Sequence, residues 1–244
     1  MKFADIHIHA LYGVDDGAKS SAVMQRMIDR SYSDGVRLLC VTPHFHPGYF
    51  GDNIKRADWA YQELCNYVQQ KYHDMWIFRG NELRYSRECI SWLQSGQCCT
   101  LNGTRYVLVD FSEMEEVRNI SEGLDRLLNA GYRPVLAHVE RYRSLWGKMK
   151  EIRAYHENGI LLQIDTQSPL GGFGFWTKQQ CKRLLTAGLI DMVGSDAHNL
   201  GTRPPEMSEC YQYIKKRCGR NKAKDLCFGN VMRLLQNSLE GDLD

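Results

Sequence analysis

Histidines and carboxylates gather in this chain where short apolar runs end. His7 and His9 form a His-x-His pair, with Asp15 and Asp16 a few residues on. His44 follows Thr42-Pro43, with His46 beyond it, and Glu82 follows Gly80-Asn81. Asp110 and Asp165 each close a run of their own. His138, Glu140 and Arg141 follow another, and Asp196 and His198 follow the last. Of the eight histidines six belong to this set, which leaves His73 and His156 in segments of helical character. On a strand side chains alternate with period two, so His7 and His9 share a face and can chelate. Crowded carboxylates repel one another and raise their own pKa values unless a cation neutralises them. A mixed imidazole and carboxylate set suits Mn, Fe, Zn, Co or Ni better than Ca. Any one of these histidines alone would read as a hydrogen-bonded structural residue. Six of them at run ends point to a metal site.

The runs that must carry these residues are 3–8, 37–42, 76–80, 105–110, 133–137, 160–165 and 190–194, each of a length that suits a buried strand. Segments near 20–34, 55–72, 86–94, 117–129, 141–157 and 176–187 read as helices between them. Ser20 and Ser21 can cap the first helix, and Gly35 stands where a helix stop belongs. Ala130-Gly131, Asn158-Gly159 and Ala187-Gly188 mark three further stops before strands. After residue 194 the pattern is purely helical, around 206–217, 221–227 and 230–239. Alternation of this kind implies an α/β fold with a parallel sheet. Seven strand and helix units without a composition break favour one barrel, residues 1–244 forming a single domain. In a parallel barrel the C-terminal strand ends open on one face, so residues far apart in sequence would meet there.

Composition narrows the function classes. The chain has 244 residues, 43% hydrophobic and 25% charged, which excludes disordered and low-complexity scaffolds. Thirty-one Lys and Arg stand against 29 Asp and Glu, and a net charge of +2 argues against a nucleic-acid binder. No apolar stretch approaches membrane-spanning length. Asp5, His7 and His9 interrupt the N-terminal segment, so it does not read as a signal peptide. Nine irregularly spaced cysteines without a Cys-x-x-Cys then predict reduced thiols and a cytoplasmic protein. Cys99 to Arg105 and Cys227 to Arg233 each spell Cys-x5-Arg, the spacing of cysteine-dependent phosphatases. Neither carries the preceding strand, the preceding His and the internal Gly that a phosphate loop needs, so a cysteine nucleophile is not expected.

The motifs Asp5-Ile-His7-Ile-His9, Val14-Asp15-Asp16-Gly17-Ala18-Lys19, Thr42-Pro43-His44, Gly80-Asn81-Glu82, Ala137-His138-Val139-Glu140-Arg141-Tyr142 and Ser195-Asp196-Ala197-His198-Asn199 resemble the PHP superfamily. More narrowly, they resemble the manganese-dependent protein-tyrosine phosphatases of bacterial capsule and exopolysaccharide loci, the CpsB/YwqE type. The likeness runs through Arg203-Pro204-Pro205 and the terminal helices. It implies a single distorted (β/α)7 TIM-like barrel of the PHP fold with additional C-terminal helices and three divalent ions. The ions would be Mn, with Fe, Co, Zn, Ni or Mg as alternatives. Carried over, His7, His9, Glu82 and Asp196 would hold the first ion. Glu82 would bridge to a second completed by Asp110 and His138, and Asp16, His44 and His198 would hold the third. Asp110 departs from the pattern, which usually has Glu there, and its side chain is one methylene shorter.

The implied activity is hydrolysis of phosphotyrosine on a bacterial tyrosine kinase, regulating capsule synthesis. A metal-bound hydroxide would attack phosphorus in line. Arg141 and Arg203 are candidate catalytic residues, because guanidinium suits the charge that develops on the equatorial oxygens. Tyrosinate, with a pKa near 10, leaves without much help from a general acid. A PHP phosphatase of a small phosphate monoester such as histidinol phosphate is the nearest alternative, and a weakly catalytic kinase-binding regulator is another. Phe45, Tyr49 and Phe50 in the loop 45–53 could flank an incoming ring. Gly171-Gly172-Phe173-Gly174-Phe175 reads as a rim loop rather than a nucleotide site.

Overall fold

The computed structural model describes residues 1–50 and 54–236. Its strands are β1 (Phe3–Ile8), β2 (Val36–Val41), β3 (His44–Phe45), β4 (Trp76–Arg79), β5 (Glu82–Arg84), β6 (Tyr106–Asp110), β7 (Arg133–Leu136), β8 (Leu161–Asp165) and β9 (Met192–Gly194). Its helices are α1 (Ser21–Asp34), α2 (Ile54–Lys71), α3 (Cys89–Gln94), α4 (Val117–Asn129), α5 (Met149–Glu157), α6 (Phe175–Thr186), α7 (Ser208–Cys218), α8 (Arg220–Lys224) and α9 (Asn230–Gln236). Ser20 caps α1 by accepting from the Val23 N–H at 3.3 Å, and Gly35 ends it. The expected end of the last helix, 237–239, and residues 51–53 of the loop after β3 lie outside the described residues.

All ladders are parallel, as the alternation predicts. They form two runs, β1-β2-β4 and β3-β5-β6-β7-β8-β9. The run 76–80 was expected to hold one strand whose end carries Glu82, but the chain breaks at Gly80-Asn81 and Glu82 begins a new strand. The same happens at Thr42-Pro43, where proline has no N–H to give the ladder. Hydrogen bonds step across both breaks: Gly80 N–H to Val41 O at 3.0 Å and Glu82 N–H to Pro43 O at 3.1 Å. An isolated parallel bridge between Ile8 and Ala197 brings β1 next to the segment after β9. The ladders thus establish a curled parallel sheet rather than an unbroken seven-strand barrel.

Helices cover the sheet through an apolar layer that includes Met24, Met27 and Ile28 of α1, Leu64 of α2, and Ile120, Leu124 and Leu127 of α4. Truncating one such buried leucine to alanine costs roughly 2–5 kcal/mol. A second cluster joins Ala4, Ile6, Leu108, Val135 and Met192 of the strands to Val231, Leu234 and Leu235 of α9. One helix expectation needs correcting. The segment 141–157 is helical only from Met149, and two 3₁₀ turns, Val139–Arg141 and Arg143–Leu145, precede it. Tyr142 and Leu145 there are buried, and the Trp146 Nε1–H donates to Glu140 O at 2.9 Å, so tertiary contacts rather than a helix ladder hold this stretch.

Candidate metal centre

The breaks and loops at the C-terminal strand ends place the side chains that the sequence singled out. His7 lies in β1 and His9 just beyond it, His44 opens β3, Glu82 opens β5 and Asp110 closes β6. His138 and Asp196 follow β7 and β9 with φ of 35° and 50°. This left-handed region costs a non-glycine residue about 1–3 kcal/mol and concentrates at functional sites. The Asp196 N–H donates to His7 O at 2.7 Å and holds it there.

Three overlapping groups result: His7, His9, Glu82 and Asp196; Glu82, Asp110 and His138; and His9, Asp16, His44 and His198. Within each group one ligand atom per residue lies within 4.8 Å of the others. All nine candidate ligands are therefore brought together. Glu82 belongs to two groups, as the resemblance implies, and so does His9, which the sequence had assigned to one. Asp110 stays within its group despite its short side chain, with Arg84 Nη2 on its Oδ2 at 2.9 Å.

The donor set fits divalent cations. His7 Nε2 and His9 Nε2 stand 3.2 Å apart, and both face Glu82 Oε2 and Asp196 Oδ1 at 3.2–3.3 Å. Glu82 Oε2, Asp110 Oδ1, His138 Nδ1 and His198 Nε2 are buried without an aligned hydrogen-bond partner. Nitrogen and carboxylate lone pairs that converge in this way are what a cation satisfies. Burial opposes charge on His7, yet Glu82 and Asp196 raise its pKa to about 9. His9 rises against burial through Asp15. Burial alone would push Glu82 and Asp196 up, but facing His7 both are held well below the usual carboxylate range. Asp110 goes the other way, raised by burial and by the Glu82 charge. Burial lowers His138, aided by Arg141, and lowers His198, aided by His9. Such a centre draws positive charge inward.

Around the ligands sits a ring of orienting contacts. His9 Nδ1 lies 2.7 Å from Asp15 Oδ2 and His7 Nδ1 3.2 Å from Gln163 Oε1, which leaves both Nε2 atoms facing inward. Gln163 Oε1 also accepts from the His138 N–H at 2.9 Å, and its Nε2 donates to Asp165 Oδ1 at 3.1 Å. Asp5 Oδ1 accepts from the N–H groups of His7 and Ser195 at 3.1 and 2.9 Å, tying β1 to the segment after β9. The arginines converge as well. Arg141 Nη1 reaches Asp196 Oδ2 at 2.9 Å and Asp165 Oδ2 at 3.2 Å, and Arg203 Nη2 pairs with the same Asp196 oxygen.

The family model described as capsular polysaccharide synthesis, CpsB/CapC, matches residues 3–236. The chain belongs to the CpsB/CapC family. It is 32% identical to the tyrosine-protein phosphatase CpsB of Streptococcus pneumoniae over 240 residues, 96% of this chain and 99% of that one. It is 32% identical to the tyrosine-protein phosphatase YwqE of Bacillus subtilis over 215 residues, 88% of this chain and 85% of the relative. Among solved structures, one from a study of YwqE of Bacillus subtilis and CpsB of Streptococcus pneumoniae, described as unique metal-dependent tyrosine phosphatases, superposes with a TM-score of 0.88. Its identity is 31%, covering 97% of this chain and 95% of that one. A histidinol phosphate phosphatase of Lactococcus lactis shares the fold, with a TM-score of 0.54 and 15% identity, covering 91% of this chain and 94% of that one.

Other features of this CpsB/CapC chain divide. Phe50 stacks on the His44 ring, with centroids 5.5 Å apart. Phe45 is instead buried against Trp92, so it does not flank the centre. Tyr49 is exposed and stacks on His46, the one strand-end histidine outside the three groups. In the glycine-rich loop, the Phe173 ring lies 4.8 Å from the Arg141 guanidinium carbon. All nine cysteines are free, and burial pushes the Cys227 thiol up to about 12, far from a reactive thiolate. Gln163, Asp5 and Arg84 were missed as site residues. All three left the same signal, since Arg84 stands two residues after Glu82, Asp5 two before His7 and Gln163 two before Asp165, each pair on one strand face.

Proposed function

We propose that the chain is a metal-dependent tyrosine-protein phosphatase of capsular polysaccharide synthesis, acting on phosphotyrosine of a bacterial tyrosine kinase. The convergence of nine histidines and carboxylates into three overlapping groups, in a CpsB/CapC chain, carries this reading. It takes three divalent ions, manganese foremost, with Fe, Co, Zn, Ni or Mg as substitutes. His7, His9, Glu82 and Asp196 form the first site, Glu82, Asp110 and His138 the second, and His9, Asp16, His44 and His198 the third. Residues 1–244 form one domain, a distorted (β/α)7 barrel with added C-terminal helices. The compartment is the cytoplasm, which nine free cysteines suit. No helix among the described residues is long and apolar enough to cross a membrane.

When bound, the cations supply Lewis acidity toward phosphoryl oxygens and a water whose pKa is lowered toward neutrality. The chain's own groups do the rest. Arg141 and Arg203 present guanidinium groups at one edge of the centre, where they can take the phosphoryl oxygens as they now take Asp196 Oδ2. Glu113 and Asp165 on opposite sides of Arg141 fix its plane. Phe50 over His44 offers a ring edge to the leaving tyrosine.

Metal-stripped enzyme should be assayed on a phosphotyrosine peptide before and after each metal is added, with phosphoserine peptide and histidinol phosphate alongside. Restored activity confined to phosphotyrosine, and retained when Cys99 and Cys227 are changed to Ser, is expected. Metal uptake without turnover of any substrate would sink the assignment, as would preference for histidinol phosphate.

A further inference from the structure

Beside the metal centre lies a pocket of about 480 Å³ that the chemistry above does not use. Its floor is Tyr85 stacked on Phe111, with ring centroids 4.9 Å apart. These residues directly follow Arg84 and Asp110, whose side chains are paired at 2.9 Å, so the pocket and the centre share a wall. Helix α4 closes the far side, and its Gly123 faces the rings. A Cβ there would stand 2.9 Å from Phe111 Cε1 and from Tyr85 Cε1 and Cζ. Glycine inside a helix costs about 1 kcal/mol relative to alanine, and the missing side chain is what lets this floor lie flat against α4.

Three guanidinium groups line the space: Arg84, Arg87 and Arg126. Burial raises the Tyr85 phenol, while the charges of Arg126 and Arg87 act to lower it. Two acids also line the pocket, each with a hydrogen-bond partner from α4, and the charges of Arg87 and Arg126 act on Glu122 as well. Glu122 Oε1 accepts from Arg118 Nε at 2.7 Å, and Glu115 Oε1 from Asn119 Nδ2 at 2.6 Å. Among the described residues Arg87 and Arg126 form no ion pair as close as that of Arg118 with Glu122, and Arg126 also bonds the Tyr85 hydroxyl.

We propose that this pocket is an anion subsite that binds an acidic side chain flanking the phosphotyrosine in the substrate segment. The inference rests on the phosphatase reading and deepens it. Guanidinium binds carboxylate and phosphate oxygens through paired, charge-assisted hydrogen bonds. The aromatic floor receives the apolar part of the same side chain, whether the stem of a glutamate or the ring of a second phosphotyrosine. Both sources present the same chemistry, an anion on an apolar stem, at a fixed offset from the scissile phosphate.

The test compares kcat/KM on phosphotyrosine peptides in which each neighbouring position carries Glu, a second phosphotyrosine, Ala or Lys. p-Nitrophenyl phosphate, too small to reach the subsite, serves as the control. With fully loaded enzyme, an anion at the matching position is expected to raise kcat/KM about tenfold over Ala, the worth of one charge-assisted hydrogen bond. The gain should appear in KM. Arg87→Gln and Arg126→Gln should each erase it while leaving p-nitrophenyl phosphate turnover unchanged, and Arg126→Glu should reverse it in favour of Lys. The Glu and phosphotyrosine arms decide which anion the pocket takes. Equal rates on all peptides by an active wild-type enzyme would overturn the subsite alone, and this comparison needs no variant to fold. No turnover of any phosphotyrosine substrate would overturn the phosphatase reading instead.

Discussion

Asp15 belongs to none of the three ligand groups, yet it does as much as a ligand. Its Oδ2 lies 2.7 Å from His9 Nδ1 and accepts from the His44 N–H at 2.9 Å, and its Oδ1 accepts from the Gly17 N–H at 2.9 Å. One carboxylate therefore fixes the tautomer of the histidine shared by two groups and the backbone of a second candidate ligand. Despite burial, the facing His9 keeps Asp15 below its ordinary pKa, so it is ionised at neutral pH and makes the imidazole a stronger donor. Asp15→Asn keeps the shape and removes the charge. Its metal affinity, read by competition with a chelator, is expected to fall about 10–100-fold, the usual effect of losing an orienting partner. Unchanged affinity in the folded variant would show that His9 is set by its other contacts. Gln163 plays the matching part for His7 with a neutral amide.

At the scale of elements, the site depends on how loops turn back over the strand ends. The segment after β1 returns so tightly that the Ala18 N–H donates to His9 O at 3.0 Å, and a Cβ on Gly17 would stand 2.1 Å from that same oxygen. Backbone cannot yield as a side chain can. Gly17→Ala is therefore expected to cost more than about 3 kcal/mol in urea unfolding, at the upper end of single substitutions. It should also lower metal stoichiometry, because Asp16 and His9 move with the loop. A variant of native stability and full metal content would refute this. The strand ends were legible because apolar runs stop where polar ligands begin, and that boundary is local. The breaks at Thr42-Pro43 and Gly80-Asn81 carry a proline and a glycine, but nothing in the sequence shows that the strands resume beyond them at His44 and Glu82 in the same pairing. The helix expected over 141–157 starts only at Met149, because Tyr142, Leu145 and Trp146 have the spacing of a helix face but lie in and between short 3₁₀ turns. Asp5 and Gln163 share strand faces with His7 and Asp165, but their orienting roles do not show in the sequence, because a polar residue inside a strand looks like ordinary alternation until its partners are known.

Over the whole molecule, β1, β3, β5, β6 and the segments after β7 and β9 all send side chains into one buried centre, so cations bound there would link both ends of the sheet. Metal that binds the folded chain and not the unfolded one stabilises it by about 4 kcal/mol per site at a thousandfold excess over Kd. For a domain of this size each kcal/mol moves the melting temperature by roughly 2–4 °C, so one saturated site is worth roughly 8–16 °C. The pH dependence has a definite sign. His7 rises from about 6.5 in the unfolded chain to about 9 in the fold, so its protonation stabilises metal-free protein below pH 6.5. That stabilisation is lost as pH climbs through 9. Metal needs the same nitrogen unprotonated, so its own contribution grows over the same window. Melting temperatures of stripped and metal-loaded protein are therefore expected to diverge steadily between pH 6.5 and 9. A gap that stays constant or narrows would mean that His7 does not give up its proton to the metal, and the first ligand group would lose its central member.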